Sequence, residues 1–357
     1  MSITIDQAID RVCDSRRERQ DYLVPFGHFQ LKLNDSGEIV ARVGAQEFRP
    51  NDWALRQMAM KMDVPTTMVK KLTAHGRDVR DRELLVNIFR NGIRDGRMDP
   101  EKNFRFRTYS DGTLRAFLTE KYAIVDNVWC LEQLKKSFPN DELTFDHFRG
   151  DADNIYGNMR IPGADFKSDD SEYGGSIFCR NSEIGNGRVA VAPGIWRQVC
   201  TNGMMGWAPA WSKVHLGEID LASLSAEILG GISKAIPHLR EGFDLMIAAK
   251  QRALQVDPSA MIAEVAIKHK LEAKQAVQTL DTYGTHESSF RSLFGIVNAI
   301  TRVAQEQKVD AEQFRLEEIG GHLCKLNDAG WSRLNTLAGG LSEAERNKAY
   351  GIVTVAS

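Results

Sequence analysis

The chain has 357 residues, with 46 Lys+Arg against 48 Asp+Glu and a formal net charge of −2. That length allows two domains, and the near-zero charge excludes a duplex binder that works through a basic whole-molecule field, though not a local basic groove. The five cysteines, Cys13, Cys130, Cys179, Cys200 and Cys324, form no C-x-x-C pair, which excludes a disulfide framework and a zinc ribbon and predicts a reducing, cytoplasmic setting.

The first element is a helix: Ala8, Ile9, Val12 and Cys13 recur at helical spacing, with Asp6 as an opening residue. The stretch contains no apolar run of a signal peptide, and no later segment reaches the roughly 18 apolar residues of a membrane helix, so no membrane partner is expected. From Phe26 the period changes to two, and FGHFQLKLNDSGEIVARV predicts a hairpin turning at Asn34–Gly37. NFRFRTYSDGTLRAFLT predicts a second, at Asp111-Gly112, and GGSIFCRNSEIGNGRVAVAP a third, around Gly185–Gly187. Between the first two lies a helical insertion at about 52–97, whose Leu55, Met58, Ala59 and Met62 form an apolar stripe. A helix follows at Asp126–Ser137, then strand-like runs and DFKSDDSEYGG, a polar, turn-rich surface loop. Beyond Leu221 helical spacing dominates, punctuated by Pro237 and Pro258, and Ser342-x-x-Glu345 opens the last helix as a capping box. The predicted fold class is therefore α+β: a largely antiparallel sheet built from hairpins over residues 1–215, followed by a helical C-terminal region over 216–357.

No G-x-x-x-x-G-K-[ST] loop is present, and the eight histidines include no H-x-x-x-H or H-E-x-x-H arrangement, so neither an ATP site nor a metal site is expected and no cofactor is predicted. Cationic residues interleaved with rings are the more informative signal. In Phe104–Tyr109 a strand sets Arg105, Arg107 and Tyr109 on one face, and Arg115 lies on the returning strand. Lys121-Tyr122, Arg180, Arg188 and Trp196-Arg197 add further cations and rings, the combination that single-stranded nucleic-acid sites use. Cys200, Thr201, Asn202 and Gly203 read as a packed structural bend, with Cys200 a small buried hydrophobe. A nucleophilic Cys200 needs a partner base that spacing does not identify.

In order, Thr119-Glu120-Lys121-Tyr122-Ala123-Ile124-Val125-Asp126-Asn127, Asn181-Ser182-x-x-Gly185, Arg197-x-x-Cys200-Thr201-Asn202-Gly203 and the Phe294–Ala299 helix resemble the phage- and plasmid-encoded family known as domain of unknown function 932. The resemblance spans residues 25–305 and implies a protein of a phage, prophage or plasmid. It supplies no catalytic residues. Its setting in DNA metabolism implies a role similar to that of phage single-strand annealing proteins, which act without ATP as rings or filaments. The expectation is a cytoplasmic homo-oligomer that binds single-stranded DNA and anneals complementary strands during recombination. Arg105, Arg107, Arg115, Lys121, Arg180, Arg188 and Arg197 are the expected phosphate contacts, and Tyr109, Tyr122 and Trp196 the expected stacking rings. Two other classes stay open: a structural or regulatory protein that binds a phage or host partner through Leu221–Leu239, and a nucleic-acid-directed hydrolase using Cys200 or the acidic stretch Asp151–Asp170.

Overall fold

The computed structural model describes residues 2–15, 18–74, 78–94, 99–139, 143–168, 171–197, 202–205, 211–307 and 310–352. Strand β1 (Ile3–Thr4) runs into helix α1 (Ile5–Asp14), whose cap is Thr4 in a reciprocal box with Gln7. Strands β2 (Arg19–Pro25), β3 (Phe29–Leu33), β4 (Ile39–Val43) and β5 (Gln46–Pro50) come next. Helices α2 (Asp52–Lys61), α3 (Thr66–Leu72) and α4 (Val79–Arg94) form the expected insertion, and β6 (Asn103–Tyr109) and β7 (Thr113–Thr119) the second expected hairpin. These strands make one six-stranded sheet in the order β2-β6-β7-β5-β4-β3, antiparallel except where β5 meets β7. Its apolar face carries Phe26, Phe29, Phe104, Phe106 and Phe117, with Phe104 and Phe117 stacked at 4.4 Å, and packs against α2, α3 and α4.

The second sheet begins after α5 (Asn127–Lys136) and contains β8 (Thr144–Gly150), β9 (Asn154–Ser168), β10 (Ser171–Ser182) and β11 (Val189–Arg197). Strand β1 closes one edge, and β12 (Asn202–Met205) and β13 (Trp211–Lys213) pair with opposite ends of β11 at the other. Alternation along β10 sends Ile177 and Cys179 toward one face and Ser176, Phe178 and Arg180 toward the other. The first face meets α6 (Leu221–Gln251), whose buried Leu224, Ile228, Ile232, Ala235 and Leu239 recur at helical spacing. Helices α7 (Pro258–His269), α8 (Ala273–Thr282), α9 (Leu293–Gln305), α10 (Asp310–Cys324), α11 (Asp328–Gly340) and α12 (Glu343–Ala349) complete the chain, α12 opening on the Ser342–Glu345 capping box.

The α+β class and the three hairpins match the sequence reading. Three features differ from it. Within DFKSDDSEYGG, expected as a loop, Asp165–Ser168 and Ser171–Gly174 pair as the outer end of the β9–β10 hairpin. Phe166 stacks on Phe243 at 5.0 Å and Tyr173 is 1% exposed, so two rings hidden in an acidic composition anchor the segment to α6. Pro237 does not divide α6. The missing hydrogen bond and ring clash are outweighed by one continuous apolar stripe along 31 residues. The largest core also crosses the boundary expected near residue 215, since Val189, Val191 and Ile195 share it with Leu224 and Ile228.

On the opposite face of the second sheet, α10 lays Phe314 beside Tyr156 and Phe178. Glu317, 1% exposed, accepts hydrogen bonds there from the Tyr156 hydroxyl, from Gln305 at 2.7 Å and from Gln313 at 3.0 Å. Burial outweighs these bonds and pushes its carboxyl up to about 7 from a usual 4.5. Between those values the folded chain holds a proton that the unfolded chain has released. The stabilisation this represents is complete below pH 4.5 and is lost as pH rises through 7. Glu317→Gln keeps the shape without the charge. Chemical denaturation should therefore show the variant gaining on the parent by up to roughly 3 kcal/mol as pH is raised across that window; a difference that does not change with pH refutes this.

Candidate nucleic-acid interface

Strand β6 sets Arg105, Arg107 and Tyr109 on the face opposite Phe104 and Phe106, as its alternation requires. That face is not an open ridge. The end of β10 and residues 151–153 cover it, leaving Arg107 3% and Arg115 0% exposed. The covering residue is Glu183, itself 1% exposed. Its carboxylate accepts hydrogen bonds from Arg19, from Arg115 at 3.2 Å and from the Asn127 backbone N–H at 2.9 Å, and lies 3.8 Å from Arg107. Arg107 also donates to Asp21 at 3.1 Å and to the Glu183 carbonyl at 2.5 Å. Asp153 accepts from Arg115 and from the Tyr109 hydroxyl, each at 2.7 Å, and the Arg115 guanidinium lies 5.0 Å from the Tyr109 ring centre. Burial, then the Asp153 charge, raises the Tyr109 phenol above its ordinary value.

Arg107 and Arg115 are thus committed to carboxylates inside the protein, and Tyr109 to Asp153. The phosphate and stacking roles expected of these three are corrected to a structural one. The chemistry that nominated them, cations on one strand face, is also what a buried acidic partner selects. Arg105 is half-buried beside them.

A second group of cations surrounds a cleft of about 720 Å³. Helix α2 contributes Trp53, Gln57 and Lys61; the β10–β11 turn contributes Gly185–Arg188 beside Arg180; the segment after β13 contributes Val214–Leu216. The turn is fixed through consecutive carbonyls. Tyr122 donates to the Ser182 oxygen at 2.7 Å and Arg107 to that of Glu183, while Trp53 and Gln57 donate to that of Ile184 at 2.9 and 2.8 Å. Gly185 has φ +74°, and a Cβ there would lie 2.7 Å from Leu118. A Cβ on Gly187 would lie 2.8 Å from the Arg180 guanidinium, which sits 4.4 Å from the Phe314 ring centre.

Among the described residues no Asp or Glu lines this cleft, and Lys61, Arg180 and Arg188 form no ion pair. Lys61 and Arg188 are exposed, with Arg188 reaching Ser212 at 3.3 Å. Burial, then the like charge of Arg188, lowers the Arg180 pKa, with a smaller opposing pull from Glu318. The cleft is a place where positive charge is held together without its counter-charge, and an anion relieves that repulsion.

The remaining expected contacts separate. Tyr122 lines the cleft, but it is 8% exposed and one of its ring faces is taken by His215, parallel at 4.9 Å, so it is not an open platform for a base. Lys121 is exposed, and its carbonyl accepts from Gly217. Trp196 and Arg197 lie on β11 opposite Gly203 and Asn202 of β12; their side chains fall outside the described residues, as do Cys200 and Thr201 altogether. Asn202 and Gly203 are paired strand residues, and the first half of the bend expected over Cys200–Gly203 lies outside the described residues. Trp53, Lys61 and His215 were not singled out by sequence, because nothing in the spacing of α2 and residue 215 brings them to one wall. Among the described residues no three His, Cys, Asp or Glu side chains are grouped to hold a metal, and no helix is long and apolar enough to cross a membrane.

Comparison with protein-family models, curated proteins and solved structures found no match.

Removing Glu183 leaves Arg19, Arg107 and Arg115 short of a buried partner. Glu183→Ala should lower the unfolding free energy by about 3–5 kcal/mol in urea titration, the scale for breaking a buried pair from one side; a loss below about 1 kcal/mol shows that the carboxylate is not central.

Proposed function

We propose that this protein binds single-stranded DNA without ATP, through the cleft between α2, the β10–β11 turn and residues 214–216. The observation that carries this reading is that Lys61, Arg180 and Arg188 converge on one cleft, where among the described residues they have no ion-pair partner and no Asp or Glu lines the wall. A volume of about 720 Å³ is that of a small-molecule site, which suits a nucleotide unit and not a duplex groove. Trp53 and Leu216 give the same wall an apolar side against which a base can pack. The resemblance to the phage- and plasmid-encoded family supports a role on mobile elements, in annealing complementary strands during recombination. Self-association into a ring or filament through the helical part belongs to the same reading, as does a cytoplasmic setting in which the buried thiols of Cys130, Cys179 and Cys324 stay reduced.

Each phosphate neutralised on a single strand releases counterions, so log affinity falls with log salt by about 0.7 per contact. The double variant Lys61→Ala, Arg188→Ala should bind a labelled oligonucleotide more weakly, with a salt slope shallower by about 1.4. Both residues are exposed, so its melting temperature should hold. Fluorescence anisotropy at several salt concentrations, with light scattering to follow assembly, tests this. An unchanged slope sinks the cleft as the site; absence of binding by the parent protein at low salt sinks the function.

A further inference from the structure

Leu216 and Val214, 62% and 60% exposed, are the two most exposed large apolar side chains among the described residues. Both line the cleft that holds Lys61, Arg180 and Arg188, as does Met60, 51% exposed. A lone exposed apolar residue is ordinary, but three around one concavity mark a surface that a ligand covers. The fold holds them outward. On α2, Leu55, Met58 and Ala59 turn to the core, and Met60 falls off that stripe, next to Lys61. After β13 the chain is anchored by His215, which is buried, stacks on Tyr122 and sets Nδ1 3.0 Å from the Ala123 carbonyl. The backbone is tied at the same place: Ala123 donates to the His215 carbonyl at 3.3 Å, and Gly217 to the Lys121 carbonyl at 2.9 Å. With His215 turned inward, its two neighbours face water.

Charge narrows what covers them. Among the described residues the three cations of the cleft have no ion-pair partner, and no Asp or Glu lines it, so the ligand brings negative charge and an apolar face together. Phosphate and base alternate in that way along a single strand, whereas in a duplex each base face is already covered by its neighbour. We infer that Met60, Val214 and Leu216 are the base contacts of this cleft: they pack as an apolar wedge against the face of an unstacked base whose flanking phosphates the three cations hold. This rests on the single-strand reading and adds to it what distinguishes a strand with bases from any other polyanion.

The test is anisotropy with labelled oligo(dT) and an abasic oligonucleotide of the same length, which keeps the phosphates and removes the bases. The parent should bind oligo(dT) roughly tenfold tighter, the scale of burying one apolar side chain, with the same salt slope for both. The double variant Val214→Ser, Leu216→Ser changes two exposed residues, so its melting temperature should hold. It should bind the two oligonucleotides within about twofold of each other, near the parent's abasic level and with the parent's salt slope. Equal binding of the two by the parent, or a full preference that survives in the variant, overturns the base contact while strand binding stands. A variant that loses assembly in light scattering together with binding of both oligonucleotides also overturns it, and assigns the patch to contact between copies of the chain. No binding of either oligonucleotide by the parent at low salt overturns the contact and the single-strand reading together.

Discussion

The buried carboxylate of Glu183 is the constraint on which the arrangement of the two sheets depends. It directly follows β10, receives guanidinium groups from β2 and β7, and accepts the first backbone N–H of α5. A carboxylate taken out of water is tolerable only with such partners. The three arginines are tolerable only with it, Asp21 and Asp153. Each group is costly alone, so the first sheet and the β10 end meet in essentially one relative position. An apolar seam of similar area would hold the parts together without fixing the register so closely, because dispersion has no direction and ion pairs with short hydrogen bonds do.

That register reaches the cleft by a short covalent route. Glu183 lies between Ser182 and Ile184, whose carbonyls are held by Tyr122 and by Trp53 and Gln57. Gln57 has a second tie, accepting from the Phe117 backbone at 2.8 Å, so α2, β7 and the β10–β11 turn share one side chain. Lys61 is one helical turn beyond Gln57, and Arg188 is four residues beyond Ile184. The distances between the cleft cations are therefore set by groups buried behind them. The arginines that composition and alternation nominated for DNA contact are, in the fold, part of what places the other cations.

How much of this was legible follows from the range of each signal. The hairpins were readable because Asn34–Gly37, Asp111-Gly112 and Gly185–Gly187 carry turn chemistry within a few residues, between runs of period two. The faces of β6 were readable for the same reason. Whether a face meets water or another sheet is a long-range fact: Arg107 and Glu183 are 76 residues apart, and nothing local to NFRFRTY distinguishes a solvated ridge from a buried salt bridge. The Asp165–Gly174 segment failed in the other direction. Its acidity suggested a loop, while Phe166 and Tyr173 depended on Phe243 of a helix not yet formed at that point of the chain. The cleft draws on residues 53–61, 117–122, 180–188 and 214–216, four short pieces with no motif in common. Only Arg180, Arg188 and Tyr122 among them had any prior claim, and that came from side-chain chemistry.

Net charge and local charge then have to be kept apart. With a net −2 on the whole chain there is no broad positive field to draw a strand from a distance. At physiological salt a charge is felt over about 8 Å, so the cleft cations act at contact range. Their repulsion is real there because the acids that neutralise Arg107 and Arg115 are sequestered behind the turn, within the junction and away from Lys61 and Arg188. Moving one carboxylate from the junction to the cleft wall would offset one of its three cations without changing the sum. On the proposed reading, affinity for a polyanion comes from counterion release on docking rather than from long-range steering. Its near-neutral sequence is then what the placement of its acids requires, and the informative quantity is which cations the fold leaves without a partner.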